Sequence, residues 1–503
     1  MKRRASGILL HVTSLPSEFG IGDCGPGAFE FADFLRESGQ SYWQILPLTP
    51  TAAISGHSPY TSLSSFAGNP LLISPRQLQA DGLLEENDLE IEQEFDPNQV
   101  EFDRVVSLKT DLLERAFENY KSGESEYRQR YDRFRDENSY WLEDYVTYIT
   151  FKEHFGEKAW NKWPKEIRDR DQSPVKELQN QLTDRIEYHA FVQFLFFHQW
   201  HNLKRYCNDH GIQIIGDIPY YVNYDSADVW TNQDLFKLDV QRRPTHVGGV
   251  PPDYFSATGQ LWGNPVYDWE IMQQQRYNWW INRINHNFRF FDIVRIDHFR
   301  GFVAYWEVPA GEETAINGSW VQVPTDDFFR TIFKYAPHLS FIAEDLGVIT
   351  PDVRETIRDF GFPGMRVLQF AFDDSLPRNL YAPHNHVENC VLYTGTHDNN
   401  TVRGWFEEDI GSPTQDRLRR YLGHEIDAGH IHEDFIRLAM MSVADTVIIP
   451  FQDVLGLGAN SRMNTPGTTD GNWKWRVSGE ALNSEVAGAL RETTALFGRT
   501  LRY

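Results

Sequence analysis

Short runs of β-branched and other apolar residues recur along the chain, each followed by polar or glycine-rich residues and then by a longer helical pattern. They begin near Gly7 (GILLHV), Tyr42 (YWQILPL), Ile212 (IQIIGDI), Phe291 (FDIVRID), Leu339 (LSFIAED), Met365 (MRVLQFAF), Cys390 (CVLYTGT) and Thr446 (TVIIPFQ). Repeated strand–helix units make a parallel sheet, and eight of them close a barrel. The expected fold class is therefore α/β, a (β/α)8 TIM barrel.

The second and third runs are separated by far more chain than one such unit needs, so roughly residues 75–195 should form a mainly helical inserted subdomain. Leu108 to Tyr120 and Trp141 to Phe155 carry apolar residues at three- and four-residue steps among charges, and Ala190 to Tyr206 reads as an aromatic helix leading into the third run. The charged stretch Arg128 to Glu137 reads as a solvated helix face. A smaller insertion over roughly 220–285 should carry an active-site loop, with Gly248, Gly249, Pro251 and Pro252 marking it. Residues 1–503 are then one barrel with insertions, with no internal repeat and no low-complexity tract.

The chain has 503 residues, beyond ordinary single-domain size but within reach of a barrel with insertions. Its net charge of −24 repels phosphate backbones and anionic membrane surfaces, so neither nucleic acid nor membrane is an expected partner. Cys24, Cys207 and Cys390 are odd in number and scattered, with neither metal-ligand spacing nor a disulfide framework. They read as reduced thiols of a cytoplasmic protein. Lys2, Arg3 and Arg4 precede an apolar run too short for a secretory signal. The aromatic content of 14% with 15 Trp supplies core, and also flat faces suited to sugar rings.

In a parallel barrel the working residues sit at the C-terminal ends of strands. The third run ends at Asp217, the fourth in Arg295-Ile296-Asp297-His298, and the fifth in Ala343-Glu344-Asp345; the loop after the seventh holds Gly395-Thr396-His397-Asp398-Asn399-Asn400. The strand period of two sends Arg295 and Asp297 to the same side, where a guanidinium favours the charged carboxylate that a nucleophile requires. Acids on separate strand ends suit glycosyl transfer with retention: one attacks the anomeric carbon, a second donates a proton to the leaving oxygen, and a third holds the sugar. His beside Asp at 297–298 and 397–398 lacks a third ligand at fixed spacing, so no metal is expected. The glycine-rich stretches lack the lysine and helix of a phosphate loop, so no cofactor is expected either.

These features resemble the α-amylase clan of glycoside hydrolases, and most closely its 4-α-glucanotransferase family, which includes amylomaltase and the plant disproportionating enzymes. Ser6-Gly7-Ile8-Leu9-Leu10-His11-Val12-Thr13-Ser14-Leu15-Pro16-Ser17 with Gly20-Ile21-Gly22-Asp23 resembles the family's first strand and loop. Ser58-Pro59-Tyr60 followed by Ser64-Ser65-Phe66-Ala67-Gly68-Asn69-Pro70 resembles its next signature, and the likeness spans nearly the whole chain. It implies Asp297 as nucleophile, Glu344 as general acid/base and Asp398 as the stabiliser that grips sugar hydroxyls at the −1 subsite. Arg295, Asp217 and His397 would line that subsite and Tyr60 would offer a stacking face. The loop from Gly248 through Tyr254 to Trp262 would cover the bound chain, and Asn464 would reach it from beyond the eighth strand. Asp217 is followed by Ile218-Pro219-Tyr220 where ordinary α-amylases carry Asn-His, a departure typical of the glucanotransferases. There is no calcium-loop pattern, and no appended starch-binding module is expected.

The resemblance implies transfer of α-1,4-glucan segments to glucose or a maltooligosaccharide acceptor, with maltooligosaccharides, amylose or glycogen-derived glucans as donors. The alternatives are an α-1,4-glucan hydrolase of the same clan, whose acceptor site admits water, and a non-catalytic glucan-binding barrel.

Overall fold

The computed structural model describes residues 4–122, 127–252, 256–347 and 349–500. In chain order its strands are β1 (Ala5–Leu9), β2 (Tyr42–Gln44), β3 (Gln213–Ile218), β4 (His246–Val250), β5 (Gln260–Pro265), β6 (Ile293–Ile296), β7 (Ala304–Pro309), β8 (Ser319–Gln322), β9 (Phe341–Ala343), β10 (Gly364–Val367), β11 (Cys390–Tyr393) and β12 (Thr446–Pro450). Strands β1, β2, β3, β6, β9, β10, β11 and β12 pair in parallel and close a barrel, β12 returning to β1. Each arises from one of the eight apolar runs.

Strand alternation divides the core into two layers. Leu9, Ile215, Ile293, Ile342, Val391 and Ile448 meet inside the barrel, while their neighbours Ile8, Ile214, Val294, Leu392 and Val447 join the larger cluster under the surrounding helices. Between β2 and β3 run the helices Phe102–Ser122, Tyr127–His154 and Thr183–Asp209. Within 128–137 only Tyr131 and Phe134 are buried, and the charges between them face out. Those two rings meet Phe194 of the third helix at 5.7 and 5.8 Å, and Trp141 lies against Phe197 at 5.5 Å. Each buried ring of this kind contributes about 1.5–3 kcal/mol.

The loop expected at Gly248 and Gly249 is a strand. β4 lies in a four-stranded antiparallel sheet, order β5-β4-β7-β8, beside the barrel. Neither glycine is there to make a turn: a Cβ on Gly248 would sit 2.5 Å from the Tyr221 ring, and one on Gly249 would sit 2.4 Å from the Gln260 carbonyl oxygen. Close approach by a neighbouring strand and ring excludes a side chain, a signal that sequence does not distinguish from turn chemistry.

No helix among the described residues is long and apolar enough to cross a membrane.

Candidate active site

The inward positions of adjacent strands carry the site. Ile215 and Asp217 face inward on β3, Ile293 and Arg295 on β6, and Ile342 on β9; Asp297 and Glu344 follow in the same alternation just past the strand ends. Backbone pairing continues beyond the strands, with Asp297 N donating to Ile218 O at 3.0 Å and Glu344 N to Ile296 O at 3.1 Å. These bonds fix both acids to the frame.

Asp217 and Arg295 are opposite one another in register. Arg295 Nη1 donates to Asp217 Oδ2 at 2.6 Å and to Asp297 Oδ1 at 3.1 Å, and Nε reaches Met365 Sδ at 3.4 Å. Tyr60 Oη donates to the same Asp217 oxygen at 2.8 Å. The Asp217 and Arg295 side chains are 0% and 5% exposed, whereas Asp297 is 29% exposed, so Asp297 is the member a ligand can reach. Burial raises the Asp217 carboxyl from its ordinary range, against the pull of Arg295. Burial, reinforced by Asp217, holds the Tyr60 phenol well above its ordinary value, so it stays a donor.

Glu344 accepts two backbone bonds at 2.8 Å, on Oε2 from His298 N–H and on Oε1 from Leu346 N–H. His298 adopts the left-handed region at φ 49°, an uncommon conformation for a residue with a side chain. Burial pushes the Glu344 carboxyl up to about 7; Arg295 and the two backbone bonds oppose this, and Asp297 adds to it. A carboxyl protonated near neutrality beside one paired with a guanidinium is the division of roles that acid catalysis needs. The half-buried His298 ring, its pKa lowered to about 4 by desolvation, packs edge-on to Trp262 of β5 at 4.8 Å.

Asp398 stands after β11 and is 45% exposed. Its Oδ1 accepts from Asn464 Nδ2 at 2.6 Å and lies 3.4 Å from His397 Nε2. Burial lowers the His397 imidazole, with Asp398 pulling the other way. Tyr60 stacks on His397 at 5.2 Å and 14°, which joins the Asp398 group to the Asp217–Arg295–Asp297 group. Nine of the ten residues singled out from the sequence are thus linked: Tyr60, Asp217, Arg295, Asp297, Glu344, His397, Asp398 and Asn464, with Trp262 connected through His298. Tyr254 lies outside the described residues.

Three contributors were not singled out. Arg462 donates to the Asp398 carbonyl at 2.6 Å and to the Asn464 carbonyl at 2.7 Å, tying the two loops together. Trp473 packs against both Tyr60 and His397 at 5.9 and 6.0 Å. The backbone N–H of His298 orients Glu344. Main-chain contacts carry no residue-type signal, and Trp473 sits too far along the chain for any local pattern to connect it.

A model of the family described as 4-alpha-glucanotransferase matches residues 10–483. The chain belongs to the 4-alpha-glucanotransferase family. It is 50% identical to the 4-alpha-glucanotransferase of Aquifex aeolicus over 99% of both chains, and 47% identical to that of Synechocystis over 100% of this chain and 99% of the other. The solved structure of an amylomaltase from Streptococcus agalactiae in complex with acarbose superposes with a TM-score of 0.95 at 40% identity, covering 99% of this chain and 100% of that one. An amylomaltase from Corynebacterium glutamicum, at 18% identity, shares the fold at a TM-score of 0.77 and covers 98% of this chain and 74% of its own. Membership in a transferase family favours transfer over the hydrolase alternative.

Among the described residues no group of three or more His, Cys, Asp or Glu is arranged to hold a metal ion.

Proposed function

We propose that the protein transfers segments of α-1,4-glucans to glucose or a maltooligosaccharide by double displacement. Glu344 protonates the scissile oxygen while an Asp297 oxygen attacks C1, so the old C1–O bond breaks and a β-linked glycosyl-aspartate forms. The reducing fragment leaves with the proton. Glu344, now a carboxylate, takes the proton of an acceptor hydroxyl, which attacks C1, restores the α linkage and releases Asp297. Asp398, braced by Asn464 and His397, grips hydroxyls of the sugar in the −1 subsite. Asp217, fully buried, holds the Arg295 guanidinium that borders the subsite. Trp262 shields the acceptor side from water. Membership in the 4-alpha-glucanotransferase family supports transfer rather than hydrolysis as the outcome, and the buried free thiols of Cys24, Cys207 and Cys390 suit the cytoplasm.

The observation that carries this reading is the pairing of Asp297 with Arg295 beside a Glu344 whose carboxyl is raised to about 7. Maltotriose tests it. A ladder of longer maltooligosaccharides plus glucose, with the number of reducing ends unchanged and no ladder from Asp297→Asn, is expected. Rising reducing ends without longer products would make the protein a hydrolase, and no turnover of any α-glucan would remove the reading.

A further inference from the structure

Asp453 lies in the short helix Phe451–Val454 directly after β12 and is 1% exposed. Its Oδ2 accepts from Thr394 Oγ1 at 2.6 Å and its Oδ1 from Val402 N–H at 2.7 Å. Thr394 is the first residue after β11, and Val402 opens the helix Val402–Gly404. Between these two points runs the loop 395–401, which carries His397 and Asp398. One carboxylate therefore fastens the entry and the exit of that loop, using one oxygen for each.

Other contacts hold the loop at points between its ends: Asn464 donates through N to the His397 carbonyl at 3.1 Å and through Nδ2 to Asp398 Oδ1 at 2.6 Å. A small cavity lined by His11, Thr396, His397, Asn400, Asp453 and Arg462 adjoins the loop. Within the loop, Thr396 donates through N and Oγ1 to Asn399 Oδ1 at 2.8 and 2.9 Å, which fixes the turn's internal shape but not its place on the barrel. Gln369 Nε2 holds the Asn400 carbonyl at 2.8 Å and Arg462 the Asp398 carbonyl at 2.6 Å, each at one point only.

We propose that Asp453 is a positioning residue for transfer, holding Asp398 on the −1 sugar by clamping both ends of the loop that bears it. The inference rests on the role given to Asp398 above. Asp453 needs no contact with substrate. Misplacing a reacting constellation by about 1 Å costs on the order of 100-fold in rate. An alanine leaves the Val402 N–H and the Thr394 hydroxyl buried without their partner, so the loop ends are released. An asparagine keeps both straps, because its oxygen accepts from Val402 N–H and its amide donates to Thr394 Oγ1.

The test follows maltotriose disproportionation by the full-length protein and its Asp453→Ala, Asp453→Asn and Thr394→Val variants, each checked for folding by circular dichroism. Asp453→Ala should lower kcat about 100-fold with a much smaller change in KM, Asp453→Asn should recover most of that loss, and Thr394→Val, which cuts one strap only, should fall between wild type and Asp453→Ala. In an Asp398→Asn background Asp453→Ala should cost several-fold less than in wild type, since its effect passes through Asp398. If Asp453→Ala does not fold, Thr394→Val decides, and an unchanged kcat in it overturns the proposal. An unchanged kcat in folded Asp453→Ala, or an equal loss with and without the Asp398 carboxylate, also overturns it. A wild-type protein that does not disproportionate maltotriose would instead overturn the proposed function.

Discussion

Glu344 accepts at 2.8 Å the backbone N–H of His298, the residue that follows Asp297 in the chain. Glu344 and Asp297, the proposed acid and nucleophile, are thereby held by one turn of backbone, and the left-handed φ of 49° at His298 aims that N–H. His298→Val should strain the turn, because a β-branched side chain resists positive φ, at a cost of about 1–3 kcal/mol. His298→Asn, which tolerates the conformation, should cost less. Thermal unfolding of the two variants together with their kcat checks the relationship: a valine variant as stable and as active as the asparagine one would contradict it.

A carboxyl raised to about 7 by burial predicts the pH behaviour of Glu344. The proton-donating step requires the neutral acid, so kcat/KM for donor cleavage should fall as pH rises through about 7, and Glu344→Gln should lose this limb along with some 10²–10⁴-fold of the rate. The folded value is raised above the ordinary one, so this group favours the folded state at low pH and its contribution is lost as pH rises through about 7. Glu344→Gln should therefore gain thermal stability relative to wild type above pH 7, and the gain should vanish in acid. A constant difference across pH would mean that Glu344 titrates as an ordinary surface carboxylate.

Lys109 and Asp23 form a buried pair, with Nζ 2.9 Å from Oδ2 and both side chains under 5% exposed. It ties the helix Phe102–Ser122 to the loop after β1, and Nζ also donates to the Ile73 carbonyl at 2.6 Å. Lys109→Met should destabilise by about 3–5 kcal/mol because Asp23 is left buried and uncompensated, and adding Asp23→Asn should restore much of it. The denaturation midpoints of the single and double variants test this. Equal loss in both would place the effect in packing rather than charge.

Trp262 is 38% exposed and meets His298 edge-on beside Glu344. With the shielding role proposed for it, its truncation should open the acceptor side to water. Trp262→Ala should raise the share of donor cleavages that end in a new reducing end by about tenfold, while overall cleavage falls less. An unchanged ratio of transfer to hydrolysis would show that water is excluded elsewhere.

How far the sequence discloses this molecule depends on the range of the signal. The eight barrel strands are legible because a strand buried on both faces is a continuous apolar run; Asp217, Asp297 and Glu344 are legible as acids at strand ends, and Arg295 because the strand period sends it to the side of Asp297. The sheet β5-β4-β7-β8 is not, since β4 reads His246-Val247-Gly248-Gly249-Val250 and its glycines answer to Tyr221 and Gln260, far away in sequence or visible only once paired. Arg462 and Asp453 escape for the same reason, acting on backbone groups or loop ends contributed by other elements.

A covalent glycosyl-Asp297 can be trapped directly. Glu344→Gln should be mixed with α-maltotriosyl fluoride, whose fluoride departs from C1 without an acid as Asp297 attacks, while the missing base leaves the second step slow. Intact mass and peptide mapping should then show a maltotriosyl adduct on the peptide containing Asp297; added azide should attack C1 of this β-linked intermediate, break its bond to Asp297 and release α-maltotriosyl azide. Consumption of the fluoride with no adduct, or an adduct on another residue, would contradict the account.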